Sequence, residues 1–119
     1  MDIKQLVVDT LGELDRELKR ALDGLTSEEL AWAPERWANS IGFTLWHVIR
    51  AEDLWVQSHG RGVPQIHESE GWATKWGIPP QDSGFGYDEG KLSGFPTPPL
   101  NELEQYYEAA RQATLSFLD

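Results

Sequence analysis

Residues 39–56 read Asn39-Ser40-Ile41-Gly42-Phe43-Thr44-Leu45-Trp46-His47-Val48-Ile49-Arg50-Ala51-Glu52-Asp53-Leu54-Trp55-Val56. Ser40 is a good N-cap, because its hydroxyl accepts an N–H that the first helical turn leaves without a partner. From Ile41 the spacing predicts a helix to about Ser58, closed by Gly60 and Gly62. Its polar residues are few, chiefly Arg50, Glu52, Asp53 and Gln57. A helix apolar around most of its circumference sits between neighbours, in the middle of a bundle. The fold class read from this stretch is all-α.

Towards the N-terminus, Ile3, Leu6, Val7, Leu11, Leu14, Leu18, Ala21 and Leu22 recur at intervals of three and four. That is one buried stripe, and it predicts a first helix over residues 3–22. Asp2 caps its start and Gly24 provides a left-handed stop. Thr26-Ser27-Glu28-Glu29 is a capping box opening a brief turn that Pro34 closes. Trp32, Trp37, Trp46 and Trp55 lie in or beside these helices and are expected in the core.

Towards the C-terminus the composition changes. Eight of the 11 Gly and six of the 7 Pro fall between His59 and Pro99. A connection of that length is uncommon in a compact domain and usually has a function. Trp72, Trp76, Ile78, Phe85, Tyr87, Leu92 and Phe95 are anchors that a pure linker lacks. The stretch is therefore expected to be ordered, with a short helix around residues 70–76, packed over one end of the bundle. A third long helix restarts after Pro98-Pro99, with Leu100, Leu103, Tyr107, Ala110, Thr114 and Phe117 on its stripe. Three such helices give the central one too few apolar neighbours, and bundles of four are the common solution. A partner helix is missing or comes from another chain.

The 119 residues carry 20 Asp+Glu, 10 Lys+Arg and no cysteine, a formal charge of −10. An acidic chain has no basic face with which to grip nucleic acid or anionic lipid. Without cysteine there is no disulfide, no thiolate nucleophile and no Cys-based zinc site. No signal-peptide pattern and no apolar run of membrane-spanning length occurs, so the expected location is cytoplasmic.

His47 is the residue with most chemical promise. Phe43 precedes it by one turn, and Ala51 and Leu54 follow on the same side. An imidazole there is either a hydrogen-bonded core residue, the commoner case, or a metal ligand projecting into the bundle. His59 is twelve residues away, about 18 Å along a helix at ~1.5 Å per residue. His67 reaches His47 only if its loop folds back. Neither H-x-x-x-H nor H-E-x-x-H occurs. Glu52 and Asp53 are adjacent and point apart, Gly84-Phe85-Gly86 lacks a P-loop lysine, and Ser40 is better read as a cap than as a nucleophile. No catalytic acid or base is assigned.

LDGLTSEELAWAP, NSIGFTLWHVIRAEDLWV, WGIPPQDSGFG and LEQYYEAARQATLSFL resemble the successive blocks of the DinB/YfiT-like superfamily of metalloenzymes. The resemblance spans essentially the whole chain. Members are four-helix bundles holding a divalent ion (zinc, nickel or manganese) through three histidines, one on the second helix and two in an H-x-x-x-H on the fourth. It implies that His47 is the first ligand. It also implies thiol-dependent S-transferase or hydrolase-like chemistry, with a small thiol among the partners. The pattern ends after the third helix, so residues 1–119 are expected to form a single DinB-like domain that is C-terminally incomplete.

Two function classes follow. One is a metal-dependent enzyme domain, inactive or incomplete as this chain alone. The other is a non-catalytic helical interaction module, a homodimer formed through the apolar face that the missing helix leaves open.

Overall fold

The computed structural model describes residues 2–119, and its helices start where capping side chains are available. Asp2 accepts the Gln5 N–H and opens α1 (Ile3–Leu22). Thr26 and Glu29 close a reciprocal capping box on α2 (Ser27–Ala31). Ser40 accepts the Phe43 N–H and opens α3 (Ile41–Asp53). Three short helices, α4 (Ile66–Ser69), α5 (Trp72–Trp76) and α6 (Glu89–Ser93), punctuate the Gly/Pro-rich connection before α7 (Leu100–Leu118). All regular structure among the described residues is helical. None of these helices is long and apolar enough to cross a membrane.

The all-α expectation and the starts of α1, α2 and α3 agree with the sequence reading. Gly62 closes the second long helix as expected, but the stretch before it is not the α-helix expected to about Ser58. The helix continues past Asp53 as a π-helix over Leu54–Arg61, closed by Gly62 at φ 67°. Widened turns are invisible to a search for a 3.6-residue period.

α3 and α7 form the centre, with Leu30 of α2 packed on the start of α3. A Cβ on Gly42 would lie 2.5 Å from the Thr97 methyl and 3.1 Å from the Leu30 carbonyl. Only glycine allows α2 and the residue-97 segment to approach α3 so closely. The connection supplies core residues of its own: Trp76 and Ile78 are buried, and Trp72, Tyr87, Leu92 and Phe95 pack against the core. Phe85 is the exception to its predicted anchoring, being 89% exposed at a loop tip.

Burial departs from the stripes in three places. In α1 only Leu22 is buried, and Ile3, Leu6, Val7 and Leu14 are exposed. This helix is held instead by a polar clasp. Arg111 grips Glu52 with both Nε and Nη2 (3.0 and 2.9 Å) and turns Nη1 to Asp15, to which the Tyr107 hydroxyl also donates. The radius of gyration, 14.8 Å, exceeds the about 13.5 Å usual for this length, as a helix standing on the flank requires.

In α7, Tyr106 is fully buried rather than Tyr107, because its hydroxyl is needed inside, and Phe117 is exposed. Of the four tryptophans expected in the core, Trp46 is there but Trp32, Trp37 and Trp55 are exposed. The few polar residues of this stretch do not form a solvent face: Arg50, Asp53 and, in the π-helix, Gln57 are buried.

Candidate functional site

His47 sits mid-way along α3, half-buried, with Thr44 and Ala51 exposed one turn before and after it. The Phe43 ring stacks on the imidazole almost in parallel, 9° between planes and 5.6 Å between centroids. Its Nδ1 lies 2.5 Å from the Ser83 carbonyl oxygen. A carbonyl only accepts, so Nδ1 carries the hydrogen, and in the neutral ring the lone pair is on Nε2. Among the described residues no group pairs with Nε2, and it is not among the buried orphans. One ring nitrogen is therefore fixed and the other open.

The strand of loop that carries Ser83 is suspended from a buried cation. Arg50 donates from Nε to the Asp82 carbonyl (2.9 Å), from Nη2 to Gln65 Oε1 (2.7 Å) and to the Pro80 carbonyl (3.4 Å). Its Nη1 faces Asp53 Oδ2 at 3.4 Å, three residues along the helix. Asp53 in turn accepts from the Tyr106 hydroxyl (2.6 Å) and from the N–H groups of Ile66 and His67 (2.8 and 2.9 Å). That carboxylate is the N-terminal anchor of α4. Burial beside it pushes the Tyr106 hydroxyl well above the usual phenol range, keeping it a donor.

His67 does fold back, as the sequence reading required for it to approach the site, but its nitrogens are used. Nδ1 donates to the Pro80 carbonyl (3.1 Å) and Nε2 accepts from the Trp46 indole N–H (3.2 Å). Burial, reinforced by Arg50, pushes its pKa down to about 4, so it is neutral at pH 7. It is a satisfied core histidine, closed to any ligand. His59 lies against Trp55, ring centroids 4.7 Å apart and tilted by 41°, both exposed on the π-helix.

Glu52 belongs to the clasp on Arg111 and Thr114, away from Asp53's network, so the two carboxylates serve separate structural roles. Among the described residues no three His, Cys, Asp or Glu side chains come together in a way that could hold a metal ion. One imidazole is not a complete donor set for a divalent ion, whose catalytic sites in the zinc case use three protein ligands. His47 fits as one donor; the described residues do not supply the rest.

A cavity of about 470 Å³ lies beside Pro34, Arg36, Ser93 and Phe95 and does not include His47. Its cation is already engaged, Arg36 lying 3.5 Å from both Glu89 and Ser93. An apolar groove of about 280 Å³ runs between α1 and α3, lined by Leu18, Leu22, Ile41, Leu45 and Val48.

Sequence reasoning named Tyr87 only as an anchor and gave no role to Asp82 or the Ser83 carbonyl. Asp82-Ser83-Gly84 is a turn-forming triplet inside the block WGIPPQDSGFG. Asp82 accepts the Gly84 N–H at 3.1 Å and the Tyr87 hydroxyl at 2.5 Å. Gly84 has φ +84°, and a Cβ there would meet Trp46 Cζ3 at 2.8 Å and Phe43 Cζ at 2.9 Å. Gly84→Ala is accordingly expected to cost about 2–4 kcal/mol, combining a left-handed backbone with overpacking against two core rings. Urea denaturation measures it, and a loss under about 0.5 kcal/mol, the range of neutral surface changes, would refute the packing described.

A family model described as the DinB superfamily matches residues 10–119. Comparison with curated proteins returned no match.

Proposed function

Since the chain belongs to the DinB superfamily, we propose that it is the donor-bearing part of a metal-dependent enzyme domain, with His47 as one ligand and the others supplied from outside the described residues. The reaction class is thiol-dependent S-transfer or a hydrolase-like reaction, and this chain alone does not carry it. The observation that supports the reading is the presentation of His47: Nδ1 tied to a backbone carbonyl and Nε2 open. That pattern recurs where imidazoles bind metals, because the outer hydrogen bond fixes the ring and raises its basicity. The buried charged groups of α3, Arg50 and Asp53, are engaged with each other and with Gln65, Tyr106 and backbone groups of the connection.

The test is elemental analysis of protein purified without chelator or affinity-tag metal, followed by titration with zinc, nickel or manganese. Expected is well under one ion per chain as purified, and added metal bound weakly. The His47→Ala variant binds it at least about tenfold more weakly still, no less than the loss of an outer partner costs. Equal binding by parent and variant would sink the reading.

A second reading is favoured by exposed Ile3, Val7 and Leu14 on α1 and Ile41 and Val48 on α3. It is a non-catalytic module that pairs with a second copy through this face. Sedimentation separates the two. The module self-associates, keeps doing so as His47→Ala, and stops as Val48→Glu.

A further inference from the structure

The hydrogen on His47 Nδ1 is placed by a backbone carbonyl, so no side chain substitution at the acceptor removes it. What fixes that carbonyl is Asp82. Its two carboxylate oxygens close the 82–87 turn, one on the Gly84 N–H (3.1 Å) and one on the Tyr87 hydroxyl (2.5 Å). The Gly84 backbone rests against Phe43 and Trp46, the same Phe43 that stacks on the imidazole. Behind the turn, Arg50 holds the Asp82 and Pro80 carbonyls independently of the Asp82 side chain. The carboxylate therefore does one separable job: it bends the chain so that the Ser83 carbonyl faces α3 rather than solvent.

We propose that Asp82 is a positioning residue for His47, acting through the Ser83 carbonyl to hold the imidazole as its Nδ1–H tautomer with the lone pair on the open Nε2. This deepens the functional reading and rests on it only for what the lone pair is used for. Which ring nitrogen bears the hydrogen is decided by the hydrogen bond of the other face. Without a fixed acceptor the ring samples both tautomers, and the Nε2 lone pair is lost in a share of molecules.

Ring ¹⁵N spectra of the metal-free chain at about pH 8, where an ordinary imidazole is neutral, read the tautomer directly. His47→Ala identifies the resonances. In the parent, His47 gives a protonated Nδ1 and an unprotonated Nε2. In Asp82→Ala the Nδ1–H share falls below half. Asp82→Asn restores it, because the amide reproduces both links. Tyr87→Phe, which removes one link and leaves the other, gives an intermediate share and serves where Asp82→Ala fails to fold. His67, whose Nδ1 bonds Pro80 rather than Ser83, keeps its pattern throughout.

A parent with hydrogen on His47 Nε2 would overturn the proposal. So would a foldable Asp82→Ala, or Tyr87→Phe, with His47 unchanged. A variant in which His67 changes along with His47 overturns it too, since that is general loosening. Metal binding that ignores His47→Ala refutes the functional reading alone and leaves the tautomer result standing.

Discussion

Arg50→Met is expected to unfold with about 3–5 kcal/mol less free energy than the parent, because it leaves a buried carboxylate without its countercharge. Arg50 and Asp53 are both shut off from solvent, at 0% and 1% exposure. The cation also satisfies the Asp82 and Pro80 carbonyls and the Gln65 side chain. Methionine fills much of the volume and replaces none of those donors, so the cost is electrostatic and polar rather than a cavity. Equilibrium urea denaturation gives the number. A loss below about 1 kcal/mol, the range of an exposed ion pair, would mean the network is not the anchor described. The partner variant sharpens the test. Adding Asp53→Asn to Arg50→Met removes the stranded charge while keeping an acceptor for the α4 amides. The double variant should therefore be more stable than the sum of the two single losses implies, by about 1–3 kcal/mol.

That network also explains which parts of the molecule were legible in advance. Caps are local, and Asp2, Thr26 with Glu29, and Ser40 act as the sequence suggests. Long apolar periods give the existence of α1, α3 and α7. Which side of a helix is buried is not local. Arg50 and Asp53 stand three apart on an apolar helix, and a rule that puts charges outward mislabels both. They are inside because a connection some forty residues long returns over α3 and gives each of them partners. The stripe of α1 fails for the converse reason. Its period is clear, yet the chain places no described element over Ile3 or Leu14. At the site, His47 was legible as a residue type in an apolar setting. The Ser83 carbonyl that orients it was not, because a backbone acceptor has no signature beyond the turn residues around it.

His67 makes the stability of the chain fall as pH drops through the range of histidine titration. In the native state its pKa is about 4 against an ordinary value of 6.5, since burial disfavours the cation and Arg50 adds to that. Between those two values the unfolded chain binds a proton that the folded chain refuses. Stability therefore declines with falling pH, from near pH 6.5 downwards, and the loss is complete below about pH 4. A shift of this size corresponds to roughly 3 kcal/mol for a residue with no exposed surface. The geometry agrees with the direction. A proton on Nε2 would point at the Trp46 indole N–H, 3.2 Å away, setting donor against donor among the rings of Trp46, Trp76 and Tyr106. Other groups also titrate over this interval, so the measurement is a difference. The free energy of unfolding is followed from pH 7 to pH 4 for the parent and for His67→Gln, whose amide donates to Pro80 or accepts from Trp46 without titrating. The parent should lose roughly 3 kcal/mol more over that interval than the variant. Parallel curves would show that His67 takes up its proton equally in both states, and with that the closed, neutral histidine at the centre of the fold would fall.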